Sequence, residues 1–226
     1  MFSEKKTIIG TLSVGLAFLM MGSFKAVASS EGERVALPEL AEYSSMSVEE
    51  AIAERRSVRE FADSSLSDEA ISRLLWAAQG ITCPAQDFRA APSAGATYPL
   101  EVYLVDQRGV FRYVPQDHEL EKIGSGDRRS RLSGAALRQE VIAEAPVTIV
   151  IAAEPERTVG RYGETRAERY VHMEAGHAAQ NIHLQAVALE LGSVPIGAFE
   201  DEQVQSVLSL PENHQPLYLI PLGKPP

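Results

Sequence analysis

Between Glu164 and Leu191 the chain reads ETRAERYVHMEAGHAAQNIHLQAVALEL, with no proline and one interrupting glycine, Gly176, before Gly192 closes the run. A helix of about 28 residues is about 42 Å long, whereas a domain of about 200 residues has a radius of gyration near 16 Å. Such a helix crosses the whole domain. Its second half is apolar almost all round, through Ala175, Ala178, Ala179, Ile182, Leu184, Ala186, Val187 and Leu189. That girth calls for burial inside the domain or against a second subunit.

The other segments have to pack around this element. Ser47 and Glu50 form a capping box that opens a helix ending near Arg56, and Ser57-Val58-Arg59-Glu60-Phe61 then alternates as extended chain. A second helix starts at Ser67, carries Ile71, Leu74, Leu75 and Ala78 on one face, and ends at Gly80. The stretch ITCPAQDFRAAPSAGATYP that follows is too rich in proline and small residues for regular structure over about 18 positions, and long loops of this kind are usually functional or disordered. LEVYLV and VFRYV, parted by Gly109, read as a hairpin; HELEKI and RLSGAALRQEVIAEA read as short helices. PVTIVIAA suits a strand buried on both faces, DEQVQSVLSL one more helix and PLYLIPLG a last strand. This order fits an α+β fold, a mixed sheet flanked by helices. It does not alternate regularly enough for a doubly wound sheet, and no GxGxxG turn is present.

The 226 residues, 45% hydrophobic and 23% charged, match a single globular domain. With 31 acidic against 21 basic side chains and no basic tract longer than two residues in the folded part, nucleic acid is not an expected partner. Cys83 stands alone, which excludes an intramolecular disulfide and thiolate zinc sites. Lys5 and Lys6 precede an apolar run from Thr7 to Phe24, and Ala26-Val27-Ala28 supplies a cleavage site, so residues 1–28 read as a signal peptide. An uncleaved membrane anchor is the competing reading. Either way the folded part lies outside the cytoplasm, as a periplasmic or extracellular protein. Residues 29–46 read as a flexible lead-in and 47–226 as the domain.

ERRSVREF places Arg55, Arg56 and Arg59 around Ser57, in a chain of net charge −10. Guanidinium forks and a hydroxyl at a helix-to-strand corner are the donors a phosphate monoester requires; a solvated or carboxylate-paired cluster is the competing reading. Ser93, Ala94 and Gly95 are small enough for backbone amides to approach a planar ligand, with Tyr98 placed to stack on it. Gly197 and Ala198 in SVPIGAF leave similar room beside their backbone. His172 and His177 fall on different faces of the long helix, the zincin motif is missing, and no metal site is expected around them or His183. No serine sits in a GxSxG elbow.

Three separated segments, ERRSVREF, PSAGATYPLEVYLV and EAGHAAQNIHLQAVALELGSVPIGAF, followed by IPLGKP, together resemble the nitroreductase superfamily of FMN-dependent oxidoreductases, and more narrowly its SagB-type dehydrogenase branch. The resemblance spans about Val48 to Pro225. It implies two interlocked subunits with two FMN sites at their interface. By this resemblance Arg55, Arg56, Ser57 and Arg59 correspond to phosphate and ribityl contacts, Ser93, Ala94 and Gly95 to a loop reaching FMN from the partner, Gly197 and Ala198 to the segment beside the isoalloxazine ring, and Gly223 with Lys224 to a C-terminal phosphate contact. PSAGATYP stands where many classical nitroreductases have an asparagine followed by QPW, so nitroarene reduction does not carry over.

The implied activity is a ping-pong exchange of hydride or electrons through bound FMN, with a small-molecule or peptide substrate and NAD(P)H or another electron donor. Export would separate the chain from cytoplasmic nicotinamides and favour a redox protein, a quinone or the substrate itself as donor. No catalytic side chain is assigned. The competing function is an exported dimeric ligand-binding protein of the same fold without redox turnover.

Overall fold

In the computed structural model, which describes residues 32–40 and 44–226, the chain forms β1 (Arg34–Ala36), α1 (Val48–Glu54), α2 (Asp68–Gln79), β2 (Ile81–Cys83), β3 (Phe88–Arg89), β4 (Leu100–Asp106), β5 (Gly109–Val114) and β6 (Glu119–Ser125). It continues through α3 (Arg129–Ala135), α4 (Glu140–Glu144), β7 (Val147–Ala153), α5 (Glu156–Tyr162), α6 (Glu164–Ala188), β8 (Gly192–Ser193), α7 (Asp201–Leu208) and β9 (Gln215–Gly223). The signal peptide expected over residues 1–28 lies outside the described residues. Among the described residues no helix is long and apolar enough to cross a membrane.

A seven-stranded sheet runs in the order β1-β6-β5-β4-β7-β9-β8, antiparallel at every neighbouring pair. Among the described residues parallel pairing, expected of a mixed sheet, is confined to one bridge, between Ser57 and Ser193. β7 is buried at all seven positions, because helices cover both faces and period-2 alternation sends its side chains to each in turn. Val102, Leu104, Ile149 and Ile151 pack under α2 and α6. Tyr103, Val105, Val150 and Ala152 pack under α3, α4 and α7.

Three sequence expectations are corrected. HELEKI is not a helix but most of β6, with Leu120 opposite Tyr113 and His118 in a turn at φ 51°. Leu120 and Ile123 are spaced for a helix, but six residues are too few for that period to outweigh pairing with β5. The stretch read as a flexible lead-in contains β1, which pairs with β6 and buries Leu37 behind it. The loop read as wholly irregular opens with the β2–β3 hairpin.

Leu120→Ala is expected to cost about 2–4 kcal/mol, as removal of a buried leucine does. Half-exposed Lys122→Ala should stay within about 0.5 kcal/mol. Denaturant unfolding of the two variants checks this placement of β6.

Candidate functional site

The arginine segment leaves α1 at Arg55, the first residue outside helical geometry, at φ −54° and ψ 122°. It then runs extended along the outer side of β8, where the Val58 N–H donates to the Ser193 carbonyl at 3.0 Å. Two glycines permit the approach. Gly192 and Gly223 pair across β8 and β9; a Cβ on Gly192 would stand 2.6 Å from Val58, and one on Gly223 2.8 Å from the Phe61 ring. The Ala62 N–H donates to the Lys224 carbonyl at 2.8 Å. Arg55, Ser57, Arg59, Gly223 and Lys224, far apart in sequence, are thereby gathered on one edge of the sheet.

Arg56 is turned back on α1, donating from Nη1 to the carbonyls of Ala53 and Arg55, both at 2.8 Å. Among the described residues neither Arg55, Arg56, Arg59 nor Lys224 forms an ion pair. The carboxylate-paired reading of the cluster therefore fails within the described residues, and Arg55 and Arg59 keep their guanidinium donors free for an anion.

His183 of α6 anchors this edge from inside, a part not anticipated from the sequence. Its Nδ1 shares a 2.7 Å hydrogen bond with the Ser193 hydroxyl. Burial, with the Arg55 charge adding to it, lowers its pKa to about 4. The ring is neutral at physiological pH and serves to fix Ser193, whose backbone carries Val58 and the arginines. After β8 the chain follows β9, with the Ile196 N–H donating to the Leu219 carbonyl at 2.8 Å, and leaves Gly197 and Ala198 exposed. Gln139 donates to the Ala198 carbonyl at 2.9 Å. Nothing lies within 4 Å of where a Gly197 Cβ would be, and a cavity of about 330 Å³ opens there between His172, Ala175, Phe199 and Tyr218.

Ser93, Ala94 and Gly95 lie elsewhere, in a tight turn on α5 with positive φ at Gly95 (61°), Ala96 (54°) and Tyr98 (44°). Arg161 donates to the Gly95 carbonyl at 3.1 Å, Arg157 to the Tyr98 carbonyl at 3.0 Å, and the Thr97 and Thr158 hydroxyls meet at 2.9 Å. Tyr98 is stacked by the Arg89 guanidinium, 4.6 Å from its ring centre. Behind the turn, Glu174 of α6 is 2% exposed. Burial raises its pKa to about 7, against the pull of the Ser93 hydroxyl, the Arg89 charge and the Gln79 amide.

Among the described residues no hydrogen bond joins this turn to the arginine edge. The two lean on α6 at Glu174 and His183, about 14 Å apart along its axis. The grouping nearest to a metal site among the described residues is Glu101, Glu154 and His214. Its cation is already the Arg157 guanidinium, 2.6 Å from each carboxylate.

Two substitutions test these supports. Gly192→Ala is expected to cost about 1–3 kcal/mol by overpacking Val58. Gly160→Ala, in α5 with nothing within 4 Å of the added methyl, should stabilise by up to about 1 kcal/mol; thermal unfolding compares the pair. For Glu174 the folded pKa lies above the unfolded value of 4.5, so its cost is absent below pH 4.5 and complete above about 7. At about 1.4 kcal/mol for each pH unit the upper bound is about 3 kcal/mol. Glu174→Gln should therefore raise Tm at pH 8.5 and leave it nearly unchanged at pH 4.5.

Residues 52–224 match the model of the nitroreductase family. A protein of Methanocaldococcus jannaschii named as a nitroreductase is 42% identical over 196 residues, covering 84% of this chain and 96% of its own. One of Methanothermobacter thermautotrophicus, named NADH dehydrogenase/NAD(P)H nitroreductase, is 29% identical over 80% of this chain and 79% of its own. The crystal structure of a Ralstonia eutropha protein described as a nitroreductase superposes with a TM-score of 0.79 at 28% identity, over 87% of this chain and 91% of that one. The long helix and the antiparallel sheet are thus those of a known architecture, and the chain belongs to the nitroreductase family.

Proposed function

We propose that the protein is an FMN-dependent oxidoreductase working as a homodimer. The observation that carries this reading is the sheet edge on which Arg55, Arg59 and Lys224, without carboxylate partners among the described residues, stand beside Ser57. From there the chain continues along β9 to the open backbone of Gly197 and Ala198. A cationic end joined to a small-residue wall fits a phosphate monoester carried on a planar ring. FMN, when bound, supplies the two-electron chemistry of a ping-pong exchange. The chain's own residues hold the phosphate at Arg55 and Ser57, leave room for the ring at Gly197, and bound the substrate cavity with Phe199 and Tyr218.

The second subunit is called for by the Ser93–Gly95 turn, which the resemblance makes a flavin contact yet which leans on α6 well away from the arginine edge. The outer face of α6 is suited to a second copy. Tyr170, Met173, His177, Gln180, Leu184 and Val187 recur at alternating intervals of three and four, the spacing of a helix–helix seam, and Met173 is 54% exposed. An apolar groove of about 420 Å³ adjoins it, between Met46, Val48, Trp76 and Leu184.

The PSAGATYP turn supports a SagB-type enzyme acting on a small molecule or a peptide. The relative named for NAD(P)H supports a nicotinamide as electron donor. Export by residues 1–28 would favour a quinone, a redox protein or the substrate itself, and is part of this proposal. Purified protein should be yellow, or take up about one FMN per chain; a colourless protein that stays so on reconstitution contradicts the reading. Arg55→Ala should weaken FMN binding by about 10- to 100-fold, as loss of a charge-assisted contact does. Exposed Arg131→Ala should leave it unchanged, and fluorescence titration with FMN distinguishes them.

A further inference from the structure

Three of the buried polar atoms without a partner in this fold lie in one place. Among the described residues Oε1 of Glu174, Nε2 of Gln79 and Nε of Arg89 make no hydrogen bond, although Glu174 and Gln79 are only 2% and 1% exposed. They come from three elements, α6, α2 and β3, and their deficits are complementary: one acceptor and two donors. Native interiors keep few such groups, and each one calls for an explanation. At this position a glutamine of the same shape would spare the fold a buried carboxyl.

What the cluster touches supplies the explanation. Arg89 donates to the Gln79 carbonyl oxygen at 3.2 Å and stacks its guanidinium on Tyr98. Its backbone N–H reaches the Tyr98 hydroxyl at 3.4 Å. The Ser93 hydroxyl oxygen accepts from the Tyr98 N–H at 2.9 Å, which leaves its own proton free to donate towards Glu174. Two of the three positive-φ residues of the turn are not glycine, a conformation that costs on the order of 1 kcal/mol each and persists only when the surroundings enforce it. Arg157, Arg161 and Thr158 hold the α5 side of the turn; of the groups that hold it, Ser93 and Arg89 are the ones that face Glu174.

We propose that Glu174 is a positioning residue for the flavin: from the buried side it holds Ser93 and Arg89, and through them the Ser93–Tyr98 turn that the dimer presents to the cofactor. This rests on the FMN reading above. As a carboxylate Glu174 attracts the Ser93 hydroxyl, the Arg89 charge and the Gln79 amide together, and the turn is held. As a neutral acid it accepts less strongly and the turn loosens. Arg89 is the charged group of a neighbouring element that faces it; Asp87, Glu101 and Arg157 act on that guanidinium in turn. Tyr170 and His177 lie one turn away on α6 itself.

The test is the FMN affinity of the full-length protein and of Glu174→Gln, titrated from pH 5.5 to 8.5. The phosphate of FMN also titrates near pH 6, but equally in both proteins, so the ratio of their dissociation constants isolates Glu174. The ratio is expected to be near one at pH 5.5, where both side chains are neutral, and to rise to about tenfold at pH 8.5 with a midpoint near 7. A general packing defect would give a ratio independent of pH, and that result overturns the positioning role while leaving the FMN reading standing. Failure of the unaltered protein to bind FMN at any pH overturns both. If Glu174→Gln does not fold, Ser93→Ala gives the same decision: a ratio to the unaltered protein that rises with pH supports the role, and a constant one overturns it.

Discussion

A 25-residue helix can lie across the face of this sheet because its inward side is made largely of alanine. Ala167, Val171, Ala175, Ala178, Ile182 and Ala186 recur at helical spacing and are all buried, and small side chains let the axis approach the strands closely. Two polar residues interrupt that stripe, Glu174 and His183, and both are buried. Each costs stability unless something is gained locally, and each stands behind one part of the candidate site. His183 fixes Ser193 and with it the arginine edge; Glu174 faces the turn at Ser93. The helix is therefore a spine that sets the separation of the two parts as well as a packing element.

Charge is arranged around the same spine. Elsewhere some arginines are tied into pairs, Arg112 with Glu121, Arg129 with Asp127, Arg157 with Glu101 and Glu154, while others, such as Arg73, Arg131 and Arg166, form no ion pair among the described residues. At the sheet edge Arg55, Arg59 and Lys224 are without such partners among the described residues. In a chain of net charge −10 a local cluster of this kind is what allows an anionic group to approach against the overall field. Arg56, though adjacent, is used to satisfy the carbonyls at the end of α1, so neighbouring arginines of one motif do not share one environment.

Much of this was legible in the sequence. The long helix, the buried β7 strand and the capped α1 and α2 announce themselves by length, apolar run and cap residues, because there local propensity and tertiary packing agree. HELEKI misleads because it is too short for period to decide, and its strand identity comes from β5, a partner the local sequence does not contain. ERRSVREF could be singled out by composition, but its docking on Ser193 depends on Gly192 and Gly223, whose role appears only once β8 and β9 are paired. Glu174 and His183 carried a weaker signal, polar residues inside an apolar helical stripe. A histidine there reads first as a candidate metal ligand, and a single sequence does not say what faces such residues.

On the proposed reading a flavin site needs two copies of the chain. Native mass spectrometry of the purified protein after reconstitution with FMN measures this directly. A species of two chains with two FMN, and no FMN on the single chain, is the predicted result. A monomer carrying one FMN at full occupancy would contradict it.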